Sequence, residues 1–195
     1  MTTLEITLEN LEDTNRLARW MARNISGCPG VRALLLRGKP GSGKTTFTAA
    51  LVRALPGGDL AEVASPSFTL CNHYPTTPPV LHGDLYRCAS AVPDEIAEAL
   101  QHAGTLTILE WAEYLPWEDF PEDFLDILFT SDDNVYLLTM NAVGPDAQKM
   151  THALYLWTEK GRSETQPKQR DSAPYCRLRS RLLISLTTCQ QVIEL

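Results

Sequence analysis

Residues 38–45 read Gly-Lys-Pro-Gly-Ser-Gly-Lys-Thr, the G-x-x-x-x-G-K-[ST] spacing of a phosphate-binding loop. Glycines let the backbone bend so that successive N–H groups, together with the positive end of the next helix, surround a β-phosphate. Lys44 then reaches the β- and γ-phosphate oxygens, and Thr45 offers a hydroxyl to Mg²⁺. A plain glycine turn between strand and helix is the bland alternative. The apolar strand before the loop and the helix after it favour nucleotide binding.

Phosphoryl transfer also needs a metal-side carboxylate and a group that orients the attacking molecule. Residues 105–111, TLTILEW, form an apolar stretch ending in an acid, and strand ends are where an open α/β sheet gathers its ligands. Glu110 is therefore the expected metal-side carboxylate, directly or through water. In LHGDLYR, residues 81–87, His82 and Asp84 alternate and so share one face of a strand. Asp84 is expected to hold a Mg²⁺-bound water or to orient the nucleophile, whereas His82 fits a hydrogen-bonded structural role equally well. Tyr86 and Arg87 suit a plain surface as readily as a site. The hydroxyls of Ser65-Pro66-Ser67-Phe68-Thr69 stand where P-loop enzymes carry a γ-phosphate-sensing switch, although a turn and edge strand accounts for them almost as well. Trp111 is either a packing residue or part of a switch sensitive to partners.

These groups need a scaffold. Alternating Leu4, Ile6 and Leu8 predict a first strand, and Leu17, Trp20 and Met21 fall at helical spacing on a segment starting near Leu11. ALLLR at 33–37 predicts a strand before the glycine loop, and 45–55 a helix stopped by Pro56-Gly57-Gly58. Strands are expected around 67–73, 80–86, 105–111, 124–130 and 134–141, with a helix near 93–103 opened by Pro93, Asp94 and Glu95. The expected fold is α/β: a single P-loop NTPase domain, with a mostly parallel or mixed open sheet flanked by helices, and a C-terminal extension.

The 195 residues carry 17 Lys plus Arg against 24 Asp plus Glu, a net charge of −7, which excludes a broadly basic polyanion binder. Residues 1–145 have a net charge of −10 and residues 146–195 one of +3. The polar stretch 159–177 reads as a linker or disordered segment. The domain boundary is placed near 145–150, giving a P-loop ATPase domain over 1–145 and a basic extension over 146–195. The apolar residues from 178 onward fit a strand or a short helix against the body. Five cysteines, at 28, 71, 88, 176 and 189, are odd in number and lack a C-x-x-C pair, which disfavours a disulfide framework and a zinc site and suits a reducing compartment. The amino terminus has no basic region followed by an apolar core, and no apolar run approaches the ~20 residues that span a bilayer, so a cytoplasmic protein without membrane attachment is expected.

Taken jointly, GKPGSGKTTF, SPSFTL, Tyr74, HGDLYR and ILEW resemble the TsaE family, small bacterial P-loop ATPases that act in making threonylcarbamoyladenosine at position 37 of tRNAs reading ANN codons. The resemblance covers roughly residues 4–141. It implies a phosphate loop on Gly41, Ser42, Gly43, Lys44, Thr45 and Thr46, Mg²⁺ on Thr45 and Glu110 with Asp84 as the second acid, and a nucleotide contact near Asn10. It further implies ATP and Mg²⁺ as ligands, and slow hydrolysis that supports a TsaB–TsaD heterodimer, so that tRNA is engaged indirectly. Lys44, Asp84 and Glu110 are the catalytic candidates. Three departures from the family pattern stand out: Lys39-Pro40 where an acid and Leu are common, Ser67 for the usual Thr, and Asp132-Asp133-Asn134 where a Gly-Arg pair usually stands. A P-loop small-molecule kinase is the rival enzyme, but residues 112–133 hold no Arg or Lys with which to clamp phosphates. A nucleotide-gated binding module with negligible turnover would use the same residues.

Overall fold

The run Ala33-Leu34-Leu35-Leu36 has no polar position, so it requires neighbours on both faces and both edges. In the computed structural model, which describes residues 2–88, 92–132, 135–163 and 178–184, it becomes β2 (Ala33–Arg37), with all four side chains buried. β2 lies between β5 (Leu106–Glu110) and β6 (Phe124–Asp132), parallel to both, and β5 is parallel in turn to β4 (Val80–Asp84). β3 (Cys71–Tyr74) closes that edge antiparallel to β4. On the other side β7 (Val135–Val143), β1 (Thr2–Leu8) and β8 (Arg179–Ile184) continue in antiparallel sequence, so the sheet runs β3-β4-β5-β2-β6-β7-β1-β8. This is the expected open α/β sheet of mixed direction.

Alternation along the strands divides the core between two faces. Leu34, Leu36, Ile108 and Ile127 pack with Leu17 and Met21 of α1 (Leu11–Asn24), Phe47 and Leu51 of α2 (Lys44–Ala54), and Met150 and Leu154 of α4 (Pro145–Ser163). Ala33, Leu35, Leu81 and Leu109 face the other way, onto Ile96 and Leu100 of α3 (Asp94–Gln101). α1 starts where Asn10, in extended conformation, accepts the Asp13 N–H through its side chain, while the Asp13 carboxylate reaches back to the Glu9 N–H at 3.0 Å. These bonds satisfy donors that a helix start leaves open.

Two segments depart from the sequence reading. The strand expected over 67–73 is confined to Cys71–Tyr74, because residues 67–70 turn: the Leu70 N–H bonds the Pro66 carbonyl at 2.7 Å, and Leu70 takes φ 68°. Residues 159–163, read as part of a linker, complete α4. Residues 145–163 and 178–184 also share the sheet and its core: Ala147, Met150 and Leu154 are buried, β8 pairs with β1, and the hydroxyls of Thr158 and Ser180 bond α4 to β8. Of the two readings for the segment after 178, the strand is observed. The expected linker over 164–177, together with 133–134 and 185–195, lies outside the described residues. No helix among the described residues is long and apolar enough to cross a membrane.

Candidate functional site

The parallel strands β2, β4 and β5 end side by side, with Asp84 and Glu110 paired in register. Ligands of open α/β sheets collect at such carboxyl ends. From β2 the chain enters the glycine loop, whose geometry depends on residue type at two points. Gly38 has φ 128°, and a Cβ there would stand 2.3 Å from the Phe129 carbonyl of β6. Gly43 caps α2 at φ 100°, a conformation that costs L-residues with a Cβ. Any other residue at 38 would push the loop away from the sheet.

Lys44 and Thr45 open α2. The Lys44 ammonium donates to the carbonyls of Gly38 and Lys39 at 2.6 and 3.0 Å and sits 4.4 Å from the centre of the Trp111 ring. Burial pulls its pKa below the usual lysine range, and the charges of Glu110, Glu113 and Asp84 oppose that pull. Trp111 itself is left-handed, φ 59° and ψ 40°, an uncommon conformation for a bulky residue. That turn carries its ring back over Lys44 and against Tyr86, whose ring centre is 4.7 Å away.

Glu110 is a buried hub. Its carboxylate accepts from Thr45 Oγ1 at 2.8 and 2.9 Å and contacts His82 Nε2 at 2.9 Å. His82 is fully buried, and its Nδ1 has no partner among the described residues. Asp84, on the neighbouring strand, accepts from the hydroxyls of Ser65 and Ser67 through Oδ2 and from the Tyr86 N–H through Oδ1. The turn that displaced the expected strand thus brings two hydroxyls onto an acid at the sheet end.

A cavity of about 620 Å³ joins these groups. Each residue singled out from sequence as nucleotide-side, Asn10, Gly41, Ser42, Gly43, Lys44, Thr45, Thr46, Asp84 and Glu110, lies in its wall. Ser65, Ser67 and Trp111, left open between site and scaffold, line it as well, as does Tyr86. His82 is one step behind, touching Glu110. Leu8, Thr14, Phe129 and Tyr136 also line the cavity and were not anticipated. Leu8, Phe129 and Tyr136 fall in apolar runs that mark them as core residues and Thr14 is a lone hydroxyl on α1, so only the packing of β1, α1, β6 and β7 turns the four toward this space. Of the Asp132-Asp133-Asn134 departure, Asp132 ends β6 and the other two residues lie outside the described residues.

The donors at the loop end are a hydroxyl and two carboxylates, hard oxygen ligands that suit Mg²⁺. A glycine-rich cradle at a helix start suits a phosphate chain. With a lysine between them, the arrangement has the parts of a nucleoside triphosphate site.

The family model for threonylcarbamoyl adenosine biosynthesis protein TsaE matches residues 8–137. The chain is 41% identical over 110 residues to the tRNA threonylcarbamoyladenosine biosynthesis protein TsaE of Aquifex aeolicus, a span covering 56% of this chain and 77% of that protein. It is 32% identical over 112 residues to the protein of the same name from Synechocystis, covering 54% and 70%. The crystal structure of Bacillus subtilis YdiB superposes with a TM-score of 0.62 at 26% identity, over 80% of this chain and 97% of that one. The matched span takes in the glycine loop, the segment bearing Asp84 and the strand ending in Glu110, and on that ground the chain belongs to the TsaE family.

Proposed function

We propose that the chain is a Mg²⁺-dependent ATPase whose hydrolysis of ATP supports threonylcarbamoyladenosine modification of tRNA at position 37 by sustaining turnover of a TsaB–TsaD-type heterodimer. The observation that carries this reading is the meeting of Thr45 with Glu110 at the start of α2, with Asp84 beside Glu110 on the next strand.

In this reading the backbone N–H groups of residues 41–45 and the Lys44 ammonium hold the β- and γ-phosphates of ATP and offset the charge that builds up during transfer. Thr45 Oγ1 and the Glu110 carboxylate hold Mg²⁺, which when bound neutralises charge shared between those phosphates. Asp84, fixed by Ser65, Ser67 and the Tyr86 N–H, aligns the water that attacks the γ-phosphorus, and ADP and phosphate leave. Trp111 shields Lys44 from bulk water, which strengthens its attraction for the phosphates. The acidic body, net −10 over residues 1–145, has too little positive charge to grip RNA broadly, which is consistent with action through protein partners.

The test is phosphate release from ATP by the full chain, alone and with the TsaB–TsaD pair from the same cell, with Lys44→Ala as blank. Slow, Mg²⁺-dependent hydrolysis that changes with the pair and vanishes in the blank is expected. Hydrolysis indifferent to the pair would overturn the partner assignment, and hydrolysis undiminished in Lys44→Ala would overturn the site.

A further inference from the structure

β3 is an edge strand, and Cys71 and His73 stand two residues apart on it, so both side chains leave the same face. Glu95, in the first turn of α3, comes up against them. His73 Nε2 lies 2.6 Å from Glu95 Oε1, and Cys71 Sγ 3.0 Å from Glu95 Oε2. One thiol sulfur, one imidazole nitrogen and one carboxylate oxygen therefore sit within 4.8 Å of one another. None of the three residues lines the nucleotide-side cavity.

We propose that Cys71, His73 and Glu95 form a binding site for a single divalent transition-metal ion, zinc by the chemistry of its donors, with the fourth position taken by water. Sulfur, imidazole and carboxylate are the three ligand types zinc uses, and thiolate with imidazole selects it over magnesium or calcium. On binding, the Cys71 thiol releases its proton to solvent, and the resulting thiolate with the Glu95 carboxylate offsets the charge of the ion, His73 staying neutral. Tetrahedral zinc, with bonds of about 2.0–2.3 Å, sets ligand atoms roughly 3.3–3.8 Å apart. The two spacings to Glu95 are hydrogen-bond lengths, so the carboxylate retreats by less than about 1 Å as the ion enters, while the sulfur and the imidazole nitrogen, within 4.8 Å of each other, settle to the zinc spacing by side-chain rotation. Glu95 can do this because its side chain is 56% exposed.

The absence of a C-x-x-C pair argued against zinc in the sequence. Here the third donor comes from another element, 22 residues beyond His73, a separation that no local motif displays. The ion would staple β3 to α3. β3 follows directly on the turn whose Ser65 and Ser67 hydroxyls hold Asp84, so the site braces one wall of the cavity and takes no part in the chemistry there. It is independent of the proposed ATPase, and Lys44→Ala should leave it intact.

Co²⁺ is the probe, added to the chelator-treated full chain and followed by absorbance. One equivalent should produce the near-ultraviolet charge-transfer band of a thiolate–cobalt bond, displaced by Zn²⁺ and retained in Lys44→Ala and in the Cys176→Ser/Cys189→Ser double variant. Cys71→Ser should abolish the band. His73→Asn and Glu95→Gln, both at exposed positions, should each weaken Co²⁺ affinity tenfold or more with the circular dichroism unchanged. Zn²⁺ at a hundredfold excess over its Kd should raise Tm by about 5–10 °C in the parent chain and not in Cys71→Ser. A missing band, a band that persists in Cys71→Ser, or affinity unmoved by both His73→Asn and Glu95→Gln would overturn the proposal and leave a hydrogen-bonded triad.

Discussion

Replacing Glu110 by Gln keeps the shape of the side chain and removes its charge, which separates three quantities the structure ties to one carboxylate. The first is fold stability. Glu110 accepts from Thr45 and contacts His82, and a hydrogen bond to a charged acceptor is worth about 1 kcal/mol more than one to a neutral acceptor. Gln retains one acceptor oxygen, so the net cost is about 1–2 kcal/mol, a fall in Tm of roughly 2–8 °C for a chain of this size. The second is nucleotide affinity. In the proposed site the loop backbone and Lys44 grip the phosphates and Glu110 is an anion beside them, so ATP binding measured with a fluorescent analogue should stay within about threefold of the parent. The third is turnover. Loss of one preorganised charge-stabilising group costs about 2.7–4 kcal/mol of barrier, a 10²–10³-fold drop in kcat. Phosphate release at saturating ATP and Mg²⁺, scanning fluorimetry and a binding titration on one preparation read all three. Turnover within tenfold of the parent, or a loss of binding that matches the loss of turnover, would refute the placement of Glu110 on the metal side.

At Trp111 the left-handed backbone predicts an inverted preference: Trp111→Gly should be more stable than Trp111→Ala by about 1 kcal/mol, since both lose the ring but only Ala keeps the strain. The two Tm values decide it, and Ala at or above Gly would show that no strain is stored there. Arg37 donates to the buried Asp126 carboxylate at 2.6 Å, and burial pushes Asp126 above the usual carboxylate range while Arg37 pulls it down. In Arg37→Met the folded chain holds that proton to higher pH than the unfolded chain, so stability falls as pH rises from the ordinary carboxylate range. The deficit against the parent should be about 2–3 kcal/mol at neutral pH and shrink towards pH 4–5, as measured by urea midpoints. Leu154→Ala, on the inner face of α4, should cost about 2–4 kcal/mol by the same measurement, and a neutral result would detach α4 from the core. The Cys71 thiol is pushed up to about 11, first by burial and then by Glu95. With chelator present, its alkylation at pH 8 should therefore quicken in Glu95→Gln, read by peptide mass spectrometry.

Much of the site was legible because its chemistry is local in sequence. The glycine loop, the acid at the end of an apolar run and the His-x-Asp alternation each declare themselves within eight residues. Residues 65–70 were harder: Phe68, Thr69 and Leu70 have strand-like character, and the hydroxyl contacts to Asp84 that turn them aside bridge 17 and 19 positions. The place of β8 depends on pairing Thr2 with Ile184, and α4 runs on through polar residues that read as linker once its buried stripe is overlooked. Phe129 has no polar group and Tyr136 stands in an apolar run, so only the finished sheet shows that they border the cavity.

The order of strands has a consequence for assembly in time. β1 pairs with β7 and β8, Thr2 meeting Ala142 and Ile184, so its partners emerge from the ribosome long after it does. The centre of the sheet, β4-β5-β2-β6, can close first around the glycine loop, but Asn10 and Leu11, which follow β1 directly, reach the cavity only once β7 has docked. Such long-range pairing slows folding and leaves strand edges exposed meanwhile. A nascent chain that stops short of residue 135 therefore holds the loop and both acids yet lacks the wall built from Leu8, Asn10 and Tyr136. The proposed ATP competence should arrive late in synthesis, after Lys44, Asp84 and Glu110 have already been made.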